Sequence, residues 1–231
     1  ASIAQVHRAR LHDGREVIVK VRRPGIRAKV EADARLLLRL AALVEKEFPE
    51  YARYQPAAMA QQFRASLLRE LDLAAECRNA EQIAENFADH EELVVPGVHW
   101  DLTSERMNVQ DWIDGLSVTD LPALEAAGVD RHEIAHRGAQ CVLKMLFEDG
   151  FFHADPHPGN VFCLPGDRIA LVDYGMVGRL TARRRGQLLE LLHGMVNRDA
   201  EQVIEVLLDW THEPEVDEDR LAGDVEAFVD R

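Results

Sequence analysis

The chain has 231 residues, of which 47% are hydrophobic and 29% are charged, and its formal net charge is −14. This composition is ordinary for a globular protein and excludes a disordered chain. The acidic balance argues against a nucleic-acid partner. The sequence also lacks any run of about 18 apolar residues, the length that predicts a membrane-spanning helix.

Three cysteines, Cys77, Cys141 and Cys163, lie far apart and show neither zinc-type nor redox spacing. Free thiols in a reducing compartment fit this pattern, so we expect a cytoplasmic location. The length suits one large domain or two small lobes that share a cleft. Because the sequence lacks an initiator Met, starts in a loop that enters a strand and ends within a predicted helix, we expect a fragment truncated at both ends.

The N-terminal part of the sequence predicts a hairpin followed by two helices. Residues 17–21 form an apolar, β-branched run that predicts a strand paired with residues 3–11. Apolar residues at helical spacing then predict a helix over residues 26–48, which the following proline ends. A second helix is predicted to begin near Pro56, a favourable first-turn residue, and to run unbroken past Glu76.

The middle of the sequence predicts two strands and two helices. The strands are expected over residues 93–100 and 106–113, and a connector follows at residues 111–115. Ser117 is predicted to cap a short helix that ends near residue 126, and Asp130 to cap a longer helix that ends near residue 148.

The last part predicts a short hairpin and then helices. Residues 161–164 and 168–172 are expected to be strands joined by a tight turn, and the chain is expected to be helical from Thr181 onward. The predicted fold class is therefore α+β. We expect a strand-containing N-terminal lobe with inserted helices over residues 1–113, and a mainly helical C-terminal lobe over residues 114–231.

The strongest chemical signal is the run His153-Ala154-Asp155-Pro156-His157-Pro158-Gly159-Asn160, followed by Asp173-Tyr174-Gly175. Phosphoryl transfer requires a carboxylate near the attacking hydroxyl and hard oxygen ligands for Mg²⁺. Asp155 and Asn160 have the five-residue spacing of a kinase catalytic loop. Asp173 follows after enough residues for a hairpin, where kinases place their second metal-binding carboxylate.

A second signal is Lys20, which lies in the middle of an apolar strand. A lysine there is costly unless it is paired, and in kinases such a lysine contacts phosphates and pairs with a helical glutamate. The helix from Pro56 offers Glu70, Asp72 and Glu76 as partners. On one continuous helix Asp72 and Glu76 would share a face, with Glu70 well away from it. The residues alone leave the choice of partner open.

Together these motifs resemble the AarF/UbiB family of atypical kinases. The resemblance rests on five segments that span residues 1 to 175, namely Ala1-Ser2-Ile3-Ala4-Gln5-Val6-His7, Lys20-Val21-Arg22-Arg23-Pro24-Gly25, Glu70-Leu71-Asp72 with Glu76, and the two runs quoted above. It implies a two-lobed, protein-kinase-like fold and binding of ATP or ADP with Mg²⁺. It also implies a role in ubiquinone or other isoprenoid-lipid biosynthesis.

The resemblance assigns roles to individual residues. Lys20 is expected to contact phosphates with Glu76 as its partner, Asp155 to be the catalytic-loop carboxylate, and Asn160 and Asp173 to bind the metal. His157 stands where protein kinases have a lysine near the transferring phosphate, so we group it with the catalytic residues. The expected nucleotide-binding residues are those of the first loop and the connector, namely Ala1, Ser2, Ile3, Ala4, Gln5 and Asp111, together with Lys20.

The same resemblance suggests partners and leaves alternatives. We expect an adenine nucleotide, a lipid or isoprenoid acceptor, lipid-biosynthesis proteins and peripheral membrane contact through the basic residues 20–29 and 183–185. The short stretch after Gly175 leaves no room for a peptide-docking segment, which argues against a conventional protein kinase. Two alternatives remain. One is a small-molecule phosphotransferase of the aminoglycoside or choline kinase type, and the other is a non-catalytic, nucleotide-gated scaffold.

Overall fold

A computed structural model describes residues 3–211 and 216–229. In the described part of the chain the α-helices are α1 Ile26–Glu47, α2 Pro56–Glu70, α3 Leu73–Asn86, α4 Leu121–Ala126, α5 Arg131–Lys144, α6 Ala182–Asn197, α7 Ala200–Trp210 and α8 Glu218–Val229. The strands are β1 Ala4–Arg10, β2 Glu16–Arg22, β3 Leu93–Val94, β4 Met107–Asp111, β5 Leu116–Ser117, β6 Phe151–His153, β7 Val161–Leu164, β8 Arg168–Leu171 and β9 Val177–Arg179. This is an α+β fold.

The chain divides into two compact units. The first comprises Ala1–Cys141 and His153–Val177, and the second comprises Val142–Phe152 and Gly178–Arg231. Every described residue of the predicted site belongs to the first unit. The division into lobes at residue 113 stays a prediction. None of the helices within residues 3–211 and 216–229 combines the length and apolar composition needed to cross a membrane.

The first unit contains an antiparallel sheet in the order β1-β2-β4. The predicted hairpin between residues 3–11 and 17–21 is confirmed, and Lys20 pairs with Val6 on one side and Asn108 on the other. Because side chains alternate between the faces of a strand, Lys20 and Arg22 point to the same face of β2. The buried Val17 and Val109 lie on the other face and anchor the sheet in the core.

A second sheet of the same unit has the order β3-β8-β7-β5. The predicted hairpin is confirmed as β7 and β8, with a turn in which Asp167 and Gly166 both have positive φ. The strand predicted over residues 93–100 is mostly wrong. Leu93–Val94 forms a strand that pairs in parallel with β8, and Val98 makes an isolated antiparallel bridge to Gln110. A short 3-10 helix follows at Trp100–Leu102.

The helix predicted from Pro56 past Glu76 is wrong, because the chain forms two helices, α2 and α3. The break falls at Leu71 and Asp72, where Asp72 adopts an extended conformation with φ −97° and ψ 94°. Its carboxylate accepts hydrogen bonds from the backbone N–H groups of Ala74 and Ala75 at 3.0 and 3.3 Å. An aspartate that binds the backbone in this way starts a new helix. The helical angles predicted between Glu70, Asp72 and Glu76 therefore do not apply.

Two further helix starts were predicted, with opposite outcomes. Ser117 lies in β5, and α4 is instead capped by Asp120, whose carboxylate accepts from the backbone N–H of Ala123. Asp130 does cap α5, accepting from the N–H groups of His132 and Glu133. That helix ends earlier than predicted and continues as a short π-helix at Met145–Asp149.

The second unit is built on α6, α7 and α8. The chain is helical after Thr181 as predicted, with Thr181 as the cap of α6, and the buried Val203, Val225 and Val229 form the core of this unit. Gly194 permits the close approach of α6 to α7, because a Cβ atom there would lie 2.9 Å from the Val203 side chain. In the first unit, Cys77, Cys141 and Cys163 are all buried, and no disulfide joins them within the described part of the chain.

The cap at Asp72 generates a stability prediction. Replacing Asp72 with alanine leaves two N–H groups of α3 without their acceptor, so the Asp72→Ala variant should lose about 0.5–2 kcal/mol of unfolding free energy. Chemical denaturation measures the loss, and Asp89→Ala, which changes an exposed aspartate of a nearby turn, is the matched control. Equal stability of the two variants would contradict the assignment of this cap.

Candidate nucleotide and metal site

The centre of the candidate site is an ion pair between a strand and a helix. Lys20 on β2 donates a hydrogen bond from Nζ to Glu76 Oε1 on α3 at 2.5 Å. The two side chains are only 15% and 6% exposed. The partner that the residues alone left open is therefore Glu76. Glu70 and Asp72 precede α3 and take no part in this pair.

Lys20 has a second carboxylate neighbour, Asp173, at 3.3 Å from Nζ to Oδ1. Burial by itself would lower the pKa of Lys20, but the negative charges of Glu76 and Asp173 outweigh burial and raise it above its ordinary value. Burial also raises the pKa of Glu76, with Lys20 acting in the opposite direction. Lys20 is thus held as a cation with one buried partner and one half-exposed partner.

The strand beside Lys20 contains buried amides that lack partners. Asn108, opposite Lys20 in the sheet, is fully buried, and its amide makes no hydrogen bond of standard geometry among the described residues. It nevertheless lies close enough to Glu76 to lower the pKa of that carboxylate against the effect of burial. The Nε2 atom of Gln110, two residues along the same face of β4, also makes no hydrogen bond within the described part of the chain. Buried amides without partners are costly, so these two residues weaken the strand that flanks the ion pair.

The catalytic-loop motif is organised by His153, a residue whose role the sequence did not reveal. His153 is 4% exposed and accepts a hydrogen bond at Nδ1 from the backbone N–H of Asp155 at 3.1 Å. Its Nε2 atom lies 3.3 Å from the carbonyl oxygen of Val172 and therefore carries the proton. Burial lowers the pKa of His153, which keeps the ring neutral. One imidazole thus ties the loop to the residue before Asp173.

Asp155 and His157 lie on the outer side of this loop. Their side chains are 51% and 54% exposed, and His157 Nε2 is 3.7 Å from Asp155 Oδ2. The Nδ1 atom of His157 accepts a hydrogen bond from the backbone N–H of Gly159, so in the neutral ring the proton is on Nε2 and points toward Asp155. An accessible carboxylate next to an imidazole is chemically suited to receive a proton from a bound hydroxyl or water.

Asn160 ends the catalytic loop and connects it to the β7–β8 hairpin. Its side chain contacts the loop, and its backbone contacts the residue after β8. It is buried, and its Nδ2 atom donates to the backbone oxygen of Asp155 at 3.2 Å. Its backbone oxygen accepts from the N–H of Val172 at 3.0 Å, which brings Asn160 and Asp173 to neighbouring positions. The side-chain bond uses the amide nitrogen, so the amide oxygen is the atom of Asn160 that suits a hard cation.

These residues fit a Mg²⁺ ion. Mg²⁺ prefers one or two carboxylate or amide oxygens and takes its other ligands from phosphates and water. Asp173 supplies a half-exposed carboxylate and Asn160 an amide oxygen. Within the described ranges 3–211 and 216–229, no group of three or more His, Cys, Asp or Glu side chains is arranged to hold a metal ion.

The turn that carries Asp173 is held from several sides. Asp173 has φ 67°, a left-handed conformation that costs energy for a residue other than glycine. Tyr174 is fully buried, donates from its hydroxyl to the carbonyl oxygen of Leu171 and stacks edge-on against His153. Asn79 of α3 donates to the carbonyl oxygen of Tyr174 at 3.0 Å. The helix with Glu76 and the turn with Asp173 are therefore directly bonded.

The predicted nucleotide-binding loop at residues 1–5 is described only from Ile3 onward. Ala1 and Ser2 lie outside the described residues. Ile3 precedes β1, where its carbonyl oxygen accepts from the backbone N–H of Arg23, while Ala4 is buried and Gln5 is exposed. These three residues lie opposite the end of β2, one to three positions from Lys20.

Asp111 ends β4 at the connector and is already engaged. Its carboxylate lies 2.8 Å from His99 Nε2, and its backbone N–H donates to the carbonyl oxygen of Gly97. The N–H of Trp112 is also used, by the carbonyl oxygen of Glu16. Contact of Asp111 with an adenine ring stays a prediction. Such a contact would use atoms other than the Asp111 carboxylate oxygen and the two backbone N–H groups that are already hydrogen-bonded.

Known proteins resemble this chain along most of its length. The ABC1 atypical kinase-like domain matches residues 1–207. The probable protein kinases UbiB of Aliivibrio salmonicida (strain LFI1238) and Vibrio vulnificus (strain YJ016) are 42% and 41% identical to it over 214 residues. These alignments cover 90% of this chain and 39% of each relative, so the chain spans well under half the length of the curated relatives it matches.

A solved structure also resembles the chain. Rv3197 from Mycobacterium tuberculosis, determined in complex with erythromycin, matches with a TM-score of 0.66 at 23% identity. The match covers 100% of this chain and 58% of that one. At this identity the likeness concerns the fold alone.

The role of His153 predicts a pH dependence. Because the folded state lowers the pKa of His153 below 6.5, the unfolded chain takes up the proton first. The contribution of His153 to stability is therefore complete above pH 6.5 and is lost as the pH falls through the folded-state pKa. Between about pH 7.5 and 5.5 the melting temperature of wild type should fall more steeply than that of His153→Gln. His12→Gln, an exposed control, should follow wild type, and equal slopes for all three would contradict this role.

The unpaired amide of Asn108 predicts a stabilising substitution. Asn108→Leu replaces a fully buried amide by an apolar side chain of similar size, so it removes a desolvation cost of about 1–3 kcal/mol. We expect a higher unfolding free energy for Asn108→Leu and a smaller change for the exposed control Asn197→Leu. A less stable Asn108→Leu variant would show that the amide has a partner, such as Glu76 or an ordered water molecule.

Proposed function

Because the chain belongs to the ABC1 atypical kinase-like family, which includes the UbiB proteins, we propose that it is a Mg-dependent, adenine-nucleotide-binding core that transfers or hydrolyses the terminal phosphoryl group of ATP. The observation that carries this proposal is the position of Lys20 Nζ between Glu76 and Asp173. A buried, permanently charged lysine beside a metal-binding carboxylate is the arrangement that kinases use to hold phosphates.

Binding requires a change of partners at Lys20. The half-exposed Asp173 would hold the metal ion in place of its contact with Lys20, while the buried Glu76 would keep Lys20 in position. Lys20 then directs its remaining N–H donors to the α- and β-phosphates. Ile3, Ala4 and Gln5 lie beside the same end of β2 and are expected to cover the phosphates together with Ala1 and Ser2. Asp111 marks the connector where the adenine ring would lie.

The bound Mg²⁺ would neutralise charge on the phosphates and orient them. The chain itself supplies the proton acceptor, because the exposed carboxylate of Asp155 can take a proton from an attacking hydroxyl or water. Asn160 and His153 fix the backbone of Asp155 from both sides. His157 lies beside Asp155, with its Nε2 atom 3.7 Å from Asp155 Oδ2, and is expected to face the transferring group from there.

The identity of the phosphoryl acceptor and of the partners is proposed from the family, since the described site residues do not define them. We expect a lipid or isoprenoid acceptor, a contribution to ubiquinone or other isoprenoid-lipid biosynthesis, association with lipid-biosynthesis proteins, and a cytoplasmic location with peripheral membrane contact. Of the basic residues 20–29, Lys20 and Arg22 are largely buried, which leaves Arg23, Arg27 and Lys29 exposed. Leu36, Leu40 and Leu43 form an exposed apolar stripe farther along α1. A basic, partly apolar surface of this kind favours contact with anionic lipid.

The second basic segment contributes less to that surface. Arg183 pairs with Asp209 through two hydrogen bonds, and Arg185 donates to the carbonyl oxygen of Glu148. Membrane contact through residues 183–185 is therefore a weaker expectation than contact through residues 20–29.

The proposal predicts different defects for two carboxylate variants. The Asp173 variant should lose nucleotide affinity, and the Asp155 variant should lose turnover. Asp173→Asn removes a charged metal ligand and should weaken Mg-ATP binding by about 10- to 100-fold, a loss of about 1.4–2.8 kcal/mol. Asp155→Asn should leave binding within a few-fold and reduce turnover by about 10²- to 10⁴-fold. Calorimetric titration measures the binding and phosphate release measures the turnover, with Asp89→Asn, an exposed position outside the predicted site, as control.

The other outcomes are equally informative. Unchanged binding and turnover in both variants would refute the proposed site. Normal binding with no turnover in wild type, with and without membranes, would favour a nucleotide-gated scaffold. Turnover that appears only with an aminoglycoside or choline-like acceptor would favour a small-molecule phosphotransferase.

A further inference from the structure

Arg22 is a buried cation that the proposed chemistry does not use. It lies on β2 two residues after Lys20 and on the same face, and its side chain is only 9% exposed. Its Nη1 atom donates to the backbone oxygen of Leu71 at 2.6 Å, and Nη2 lies 3.8 Å from Glu105 Oε1. A guanidinium that is buried to this extent and directed at a backbone carbonyl makes a strong, charge-assisted hydrogen bond.

The carbonyl group that Arg22 binds belongs to the break between α2 and α3. Leu71 is 1% exposed and is the last residue before the cap Asp72. On the other side of the break, the N–H of Leu73 donates to the carbonyl oxygen of Glu105 at 3.1 Å. Glu105 is itself next to Arg106, whose carbonyl oxygen accepts from the N–H of Arg22. The residues on either side of Asp72 are thus both bonded, Leu71 to β2 and Leu73 to the segment that leads into β4.

The start of α3 determines where Glu76 lies. Glu76 is the fourth residue of this helix, about one turn from Leu73, so a shift or rotation of the first turn moves its carboxylate directly. Lys20 and Arg22 are separated by about 6.6 Å along one rigid strand. The same strand therefore holds the cation of the ion pair and the cation that fixes the helix of its partner.

We propose that Arg22 is a positioning residue for nucleotide binding, and that it acts by holding the first turn of α3 so that Glu76 stays on Lys20. This inference rests on the proposed function of Lys20. In the structure the pair between Lys20 and Glu76 is formed, and the bond from Arg22 to Leu71 is one of the bonds that keep the start of α3 in that position.

The test compares two neighbouring arginines. Arg22→Met removes the donor but keeps an apolar stem, and Arg23→Met makes the same change at an exposed residue one position away. Arg22→Met should weaken Mg-ATP binding by roughly 3- to 30-fold, in the range of coupling expected for residues in one network. Arg23→Met should bind like wild type, and Arg22→Lys, which keeps a cationic donor, should recover part of the loss. Hydrogen exchange over residues 71–78 should be faster in Arg22→Met alone.

A double-mutant cycle separates positioning from general stability. If Arg22 acts through Glu76, adding Arg22→Met to Glu76→Gln should not weaken Mg-ATP binding further. An equal loss in both backgrounds, or a lower melting temperature with unchanged binding, would show that Arg22 is only structural and would overturn the inference. If Arg22→Met does not fold, the cycle is run with Arg22→Lys and is read in the same way.

The same titrations distinguish this failure from failure of the proposed function. If Asp173→Asn and Lys20→Met weaken Mg-ATP binding but Arg22→Met does not, the nucleotide site stands and the role of Arg22 is refuted. If none of the three variants changes binding, the proposed function is wrong and the inference about Arg22 is overturned with it.

Discussion

A lysine buried among apolar strand residues is the constraint on which the site depends. Lys20 can remain charged at 15% exposure only because two carboxylates face it, one buried on a helix and one on a turn. A strand, a helix and a loop turn must therefore meet at one nitrogen atom. Much of the local structure can be understood as the set of bonds that keeps these three elements together.

Those bonds form a short, closed network. Asn79 joins α3 to the turn with Asp173, and His153 joins that turn to the catalytic loop. Asn160 connects the loop back to the hairpin that ends in Asp173. This network holds Asp173 in a left-handed conformation that an isolated aspartate would seldom adopt. It also leaves Asp155 accessible while its backbone is fixed, which suits a group that must meet a substrate.

The sequence predicted the parts of this arrangement that local patterns encode. Alternation and turn residues located the β1–β2 and β7–β8 hairpins, and the kinase-like spacing of Asp155, Asn160 and Asp173 identified the loop and turn. The family resemblance favoured Glu76, which the structure pairs with Lys20. The predicted roles of these residues in catalysis and metal binding stay predictions.

The features that were missed depend on contacts between distant residues. The break at Asp72 is stabilised by Arg22 and Glu105, which lie 50 and 33 positions away in the sequence, so helical periodicity could not show it. The parallel pairing of Leu93 with Ile169 is equally remote. The sequence showed His153 only as the first residue of the catalytic-loop motif. Its structural role follows from the hydrogen bonds of its two ring nitrogens to Asp155 and Val172. Asn108 was not predicted to be buried, because a polar residue in the mixed strand Met107–Asp111 gives no local sign of which face enters the core.

The central claim is that Lys20 binds the phosphates of a nucleotide rather than only stabilising the fold. It is tested most directly by titrating wild type and Lys20→Met with Mg-ATP and, separately, with adenosine, which lacks phosphates. The account predicts that Lys20→Met loses about tenfold or more in affinity for Mg-ATP and keeps its affinity for adenosine. Equal losses for both ligands, or unchanged binding of Mg-ATP, would contradict it.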